Sequence, residues 1–290
     1  MSLSLLKNKL WAPFIEHVIA AEASTRSAAL LRIGLCALIW SRWAQWVAPF
    51  SAPDAERMWF SVYFFIVTPM MFFGIFTRIA TALTALGLLV IYYYFGHHQG
   101  VEPWTHHHTY LLTISTCLLA LSDCGRSYSF DRYRQIKRYL KRGLQIPAEI
   151  GPRWPLMLIA IQVSLIYFWS ALDKSRVGYL SGDRLEQMLM FFYFGSDYPN
   201  IPFFQPIMQI SAWLTVLLEY LLVVGLWFRR AQRWLIPIGI IFHGLIYYCF
   251  PVSTFSLSMW VLYLAFIDPN VLHRFLDDLQ KSSADNPTAA

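Results

Sequence analysis

Eight stretches of this sequence are too apolar and too long to be ordinary soluble helices: about residues 27–47, 58–76, 79–96, 107–123, 154–172, 207–228, 233–250 and 254–268. Crossing the hydrocarbon of a bilayer takes about 20 mostly apolar residues in a helix. The pattern predicts an all-α, polytopic integral membrane bundle of about eight transmembrane helices. The second and third spans are joined by a tight turn near Gly74–Arg78, and the last is short. The polar pieces that remain, residues 124–153 and 173–206 and the tail from Asp268, are too small for a soluble domain. Composition agrees: 57% of residues are hydrophobic and 14% charged, against roughly 25% charged in soluble domains. The 17% aromatic content, with twelve Trp, suits belts at the two membrane–water interfaces. Residues 1–22 mix Lys7, Lys9, Glu16 and His17 with large apolar residues. They read as an amphipathic helix lying on the membrane surface, not as a cleavable signal. The expected organisation is an interfacial helix over 1–24, a transmembrane domain over 25–275 and a polar cytoplasmic tail over 276–290.

Orientation follows from Lys and Arg, which concentrate in cytoplasmic loops. The loop after the fourth span holds Arg126, Arg132, Arg134, Lys137, Arg138, Lys141, Arg142 and Arg153. With that loop in the cytoplasm, Lys7, Lys9, Arg26, Arg78, Arg229, Arg230, Arg233 and Arg274 fall on the same side. Both termini are then cytoplasmic, in a multi-pass protein of the plasma (inner) membrane. The net charge of +6 sits mostly in that one loop, so membrane lipid, not nucleic acid, is the expected partner. Cys36, Cys117, Cys124 and Cys249 show no metal-ligand spacing, and Cys36 and Cys117, inside apolar runs, read as small hydrophobes.

The same threading places "FGHHQGVEPWTHHH" (residues 95–108), Lys174 and Pro251 on the external face. Polar chemistry thus gathers on one side, and ionisable groups at membrane depth tend to mark sites. Lys174 ends "LIYFWSALDK". It is either an anchor snorkelling to the interface beside Asp173 or Asp183, or a lysine in a partly dry pocket, where desolvation disfavours the ammonium and frees a base. The second reading has residues 173–183 turning back over an external cavity, with no carboxylate close to the amine. His97, His98, His106, His107 and His108 read as solvated loop histidines or as a metal tract with only Glu102 to complete it; no metal is expected. Glu219 lies inside "WLTVLLEYLLVVGLW" and needs a partner within the bundle. Arg32 in "LLRIG" and His243 in "IIFHG" are the expected partners, and such a pair can specify packing without doing chemistry.

In order, these features resemble the HTTM (horizontally transferred transmembrane) family, which is similar to the membrane domain of vitamin K-dependent gamma-glutamyl carboxylase and includes stand-alone bacterial relatives. The resemblance covers about residues 25–275. Arg32 opens the first span, Arg78 in "GIFTRIA" precedes the third, and His108 in "HTYLL" opens the fourth, which ends at Asp123 before "YSFD". The most specific piece is "YFWSALDK" followed by Tyr179 five residues after Lys174 and Gly182 eight after it. Glu219, then His243, then "STFSLSMW" complete the order. Two positions depart from the carboxylase pattern: Tyr179 stands where a Trp is expected, and Ser175 replaces an apolar residue.

The resemblance implies a membrane-embedded carboxylase-like enzyme. Lys174 would be the base toward a reduced lipid quinone of the vitamin K or menaquinone type. His108 and His243 would stabilise the anions formed, and Arg32, Tyr179 and Glu219 would contribute to cofactor binding. The substrate expected is an exported peptide or a small molecule. The carboxylases' large external recognition domain has no counterpart after residue 275, so a small partner protein is expected to supply recognition. The alternative is a non-catalytic membrane maturation or immunity partner for a secreted toxin peptide.

Overall fold

The structure, a computed structural model, describes residues 21–49, 54–196, 201–250 and 252–285. The interfacial helix expected at the N-terminus lies outside these residues apart from its last four, as does Pro251. A short strand β1 (Glu22–Ser24) leads into α1 (Arg26–Val47), α2 (Ala55–Phe73) and α3 (Thr77–Leu89), which continues as a π-helix over Val90–His98. Then come α4 (His107–Ala120), α5 (Phe130–Lys141), strand β2 (Ile150–Pro152) and α6 (Trp154–Lys174). The chain goes on through α7 (Val177–Leu180), α8 (Asp183–Phe194), α9 (Phe204–Gly225), α10 (Arg229–Cys249), α11 (Ser253–Leu262) and α12 (Pro269–Asp285). Each of the eight apolar runs is therefore helical. The predicted boundary at 275 falls within α12.

Fewer of these helices than eight meet the length and apolarity of a span. Among the described residues three do so: Thr77–His98, Trp154–Lys174 and Phe204–Gly225. Residues 254–265 and 269–281 add a fourth if the 97° break between them lies within one span. The physical reason is local. Helix α1 carries Arg26, Arg32 and Arg42, α10 opens with Arg229, Arg230 and Arg233, and α4 and α11 have 14 and 10 residues.

Two compact units divide the chain: residues up to Ile159 together with those from Leu264, and Ala160–Tyr263. In the first, α1 buries Leu31, Leu35, Ile39 and Trp43 completely, a spacing of four that keeps one face toward its neighbours. Helices α3 and α4 bury threonines instead. Thr81, Thr84, Thr113 and Thr116 each donate their hydroxyl to the carbonyl four residues earlier, at 2.7–2.9 Å. Satisfied in this way, small polar residues let helix backbones approach closely where no water can hydrate them.

One end of this unit is tied by polar contacts. The antiparallel pair β1–β2 matches Glu22 with Pro152 and Ser24 with Ile150, a small ribbon beyond the all-helical expectation. Arg26 reaches Glu149 at 2.9 Å and Asp277 at 2.6 Å. The turn between α2 and α3 is pinned by Asp131, which accepts from Phe76 N, Thr77 N and Thr77 Oγ1 at 3.1, 2.7 and 2.8 Å. Gly74 closes α2 with φ +68°, and a side chain there would collide with Ser129. The motif "YSFD" is thus a capping device. Ser129 accepts from Arg132 N at 2.9 Å and starts α5, while Asp131 caps α3.

In the second unit, α9 buries Met208, Ala212, Val216, Glu219 and Leu222, and exposes Ile210, Trp213, Leu214, Leu217 and Leu221. A carboxylate on the covered stripe with aliphatic residues outward is the reverse of a soluble helix. It is what lipid as solvent requires.

Candidate active site

Helix α6 carries four polar residues on one stripe. Ser164, Tyr167, Ser170 and Lys174 recur every three or four residues, so they share a face. Each is bonded within the second unit. Trp227 Nε1 donates to Ser164 Oγ at 2.9 Å. The Tyr167 hydroxyl meets His243 Nε2 at 2.7 Å and the Tyr263 hydroxyl at 2.5 Å. Lys174 Nζ donates to Ser170 Oγ at 2.7 Å and to Glu219 Oε1 at 2.5 Å, and Ser170 Oγ donates to the same Oε1 at 3.0 Å.

Lysine, serine and glutamate thus close a triangle of hydrogen bonds between α6 and α9. The Glu219 side chain is 4% exposed and that of Lys174 26%, so the pair is sheltered from water at the carboxylate and reachable at the amine. This corrects two expectations. Glu219 takes neither Arg32 nor His243 as partner, and Lys174 does have a close carboxylate. The reason is rotational: Ser170 and Lys174 lie one turn apart, and the face they share is turned toward the covered stripe of α9. Asp173, next in sequence, points away to a solvent-exposed contact with Arg176 at 3.7 Å.

The segment after Lys174 folds back onto α9. Tyr179 in α7 bonds through its hydroxyl to Thr215, one turn before Glu219. The Gln205 amide donates to Ser181 O at 2.7 Å. Gly182 adopts φ +87°, and a Cβ there would overlap the backbone of Met208 and Gln209. Only glycine allows so close an approach with that backbone sign. The glycine eight residues after the lysine is the position where this loop seats against the helix that carries Glu219.

His243, Tyr167 and Tyr263 form a second group, each 2% exposed or less. Tyr167 lies seven residues, or about 10 Å along the axis, from Lys174. Within these two groups Glu219 Oε2 and His243 Nδ1 are buried with no protein partner among the described residues. An apolar cleft of about 500 Å³, lined by Leu217, Tyr220, Leu221, Val224 and Trp234 among others, lies on a different face of α9 from Glu219.

Arg32 and His108 belong to the first unit. Arg32 is fully buried, and its Nη atoms donate to Cys124 O at 2.6 Å and Tyr128 O at 2.5 Å. Its guanidinium holds the chain reversal after α4, where Tyr128 has φ +46°. His108 is half-buried near the start of α4, stacked on His106 with centroids 5.5 Å apart, and its Nε2 is enclosed without a partner among the described residues. His97 packs on Tyr92 and His98 on Tyr94. Among the described residues no three His, Cys, Asp or Glu gather closely enough to hold a metal.

Along this seam between α6 and its neighbours, Tyr167, Ser170 and Tyr263, like Ser164 and Trp227, escaped the reading of the sequence. Two had a usable signal, since Ser170 and Tyr167 stand four and seven residues before Lys174. The seam can hold a proton at Lys174 or Glu219 and present two enclosed polar atoms to a further group. No curated protein and no solved structure matches the chain. The family model for the HTTM domain matches residues 39–270. The chain is a membrane protein that belongs to the HTTM domain family.

Proposed function

We propose that this protein is a membrane-embedded enzyme of carboxylase-like chemistry in which Lys174 and Glu219 act together as the proton-handling unit. The observation that carries the reading is their 2.5 Å contact, with the amine still reachable and Glu219 Oε2 still unpartnered. Transfer of a proton from Nζ to Oε1 along that bond leaves a neutral amine, and a positioned amine can accept a proton from a bound acid. Ser170 keeps both partners in register. Tyr179 fixes the loop beside them, and the Tyr167–His243–Tyr263 group offers His243 Nδ1 to a developing anion. The enclosed, unpartnered Glu219 Oε2 supports a polar ligand beside Lys174; a lipid quinol held by Glu219 and Tyr179 would supply reducing electrons. The substrate in this reading is an exported peptide or small molecule, and a small partner protein presents it. The basic loop 124–153 and both termini lie in the cytoplasm of the plasma membrane, and His97–His108 outside.

A second reading is favoured by the same contact. A lysine neutralised by Glu219 also serves a non-catalytic maturation or immunity partner, in which the ion pair only specifies packing. Mass spectrometry of a co-expressed exported peptide separates the two. Membranes holding the protein, given a reduced menaquinone, oxygen and carbonate, should yield peptide with a covalent mass gain that Lys174→Ala abolishes. Peptide of unchanged mass whose maturation still needs the protein would establish the scaffold instead.

A further inference from the structure

A groove of about 660 Å³ in the first unit opens between the α2–α3 turn, the loop after α4 and helix α5. Its wall includes Arg78, Arg126, Arg132, Arg134, Arg138 and Arg142 against two acidic residues, Asp123 and Asp131. Both carboxylates are already engaged. Asp123 pairs with Arg126 at 3.0 Å, and Asp131 caps α3. Arg132 is held by Glu149 at 3.6 Å and by Gln135 at 2.9 Å. Among the described residues Arg78, Arg134, Arg138 and Arg142 have no carboxylate partner, and all four are exposed. The groove is therefore a concave surface with uncompensated guanidinium groups, whose forked donors match phosphate oxygens.

Helix α5 shows where the anion comes from. Taken at 100° per residue, Arg134 and Arg138, with Arg142 just past the helix end, follow one edge, and Tyr133 and Leu140 follow another, with Lys137 between Tyr133 and Phe130. The aromatic and leucine side chains are exposed, and Lys137 lies 4.5 Å over the Tyr133 ring. A helix with one edge apolar and one basic lies in the plane of a membrane interface. With its apolar edge in the acyl boundary, the arginine edge and the groove beside it stand at the depth of the headgroups.

We propose that this groove is a binding site for the phosphate of an anionic phospholipid, with Arg78, Arg134, Arg138 and Arg142 as its ligands. It is separate from the Lys174–Glu219 site and does not depend on the reading of that site. The test uses the purified full chain in detergent micelles, titrated with phosphatidylglycerol or phosphatidylcholine and read by native mass spectrometry. Phosphatidylglycerol should be retained at least about tenfold better. R78Q/R138Q should lose that preference at unchanged melting temperature, while R230Q/R233Q, on the other basic segment, should keep it. If R78Q/R138Q fails to fold, R142Q, exposed just past the end of α5, carries the same expectation. Inorganic phosphate at about 10 mM should leave the bound lipid in place. Three results would overturn the proposal: equal retention of the two lipids, equal loss in both double variants, or displacement by free phosphate. The first two reduce the arginines to the charge bias that orients the chain, and the third makes the ligand the soluble ion.

Discussion

Removing Lys174 and removing Glu219 should have unequal consequences, because the two partners differ in shelter. Lys174→Met strands a carboxylate that is 4% exposed, while Glu219→Leu leaves an amine that is 26% exposed at a helix end. Losing one partner of a buried pair costs about 3–5 kcal/mol. Discounted for the water that reaches the amine, Lys174→Met should cost about 3 kcal/mol. The amine left by Glu219→Leu can reach the interface along its own stem, so that change should cost about 1 kcal/mol, near the value of the hydrogen bonds lost. The double variant buries no unpaired charge and should resemble Glu219→Leu, giving a coupling of about 2–3 kcal/mol. For a chain of this size roughly 2–4 °C accompany each kcal/mol. Thermal unfolding in micelles, followed by tryptophan fluorescence, should show Lys174→Met at least about 6 °C below the parent, with the double variant recovering most of the loss. Additive effects, within about 0.5 kcal/mol, would refute the pairing.

In a background without the four native cysteines, a reagent that cannot cross the membrane should label Gln99→Cys from outside and spare Gln135→Cys. The opposite pattern reverses the topology. Asp131→Ala removes the cap of α3 and should lower stability by about 1–2 kcal/mol, with Asp131→Asn intermediate in the same unfolding assay. Gly239 faces the Tyr263 hydroxyl so closely that a methyl would overlap it. Gly239→Ala should therefore cost more stability than Tyr263→Phe, which removes the hydroxyl without adding volume, and similar losses from both would show that the space can relax.

Apolar length alone located every one of the eight helical runs, because in lipid a helix satisfies its own backbone whatever its neighbours do. Whether each run can cross a bilayer was less legible. Arg32 inside α1 is tolerated by burial against partners that the sequence does not display. The spacing Lys174–Tyr179–Gly182 carried real information, since Gly182 is where the loop meets the backbone of α9. The choice of partner for Glu219 was hidden, because it depends on how α6 and α9 are rotated about their axes. The partners of Arg32 were hidden for a related reason. Its ligands are backbone carbonyls of Cys124 and Tyr128, and a carbonyl leaves no trace in a sequence. Tyr263 lies 96 residues from Tyr167, in a 3₁₀ turn after a ten-residue helix, and no local pattern marks it.

The central claim is that Lys174 moves a proton and does not merely balance Glu219. Lys174→Arg tests it most directly, because a guanidinium keeps the charge and the bond to Glu219 but does not give up its proton near neutral pH. The measurement is modification of the exported peptide by membranes containing the Lys174→Arg protein, beside its melting temperature. The account predicts melting within about 2 °C of the parent, less than one kcal/mol of lost stability, together with modification as low as for Lys174→Ala. A Lys174→Arg protein that folds and still modifies the peptide at the parent's level would contradict it, leaving Lys174 as a structural counter-ion.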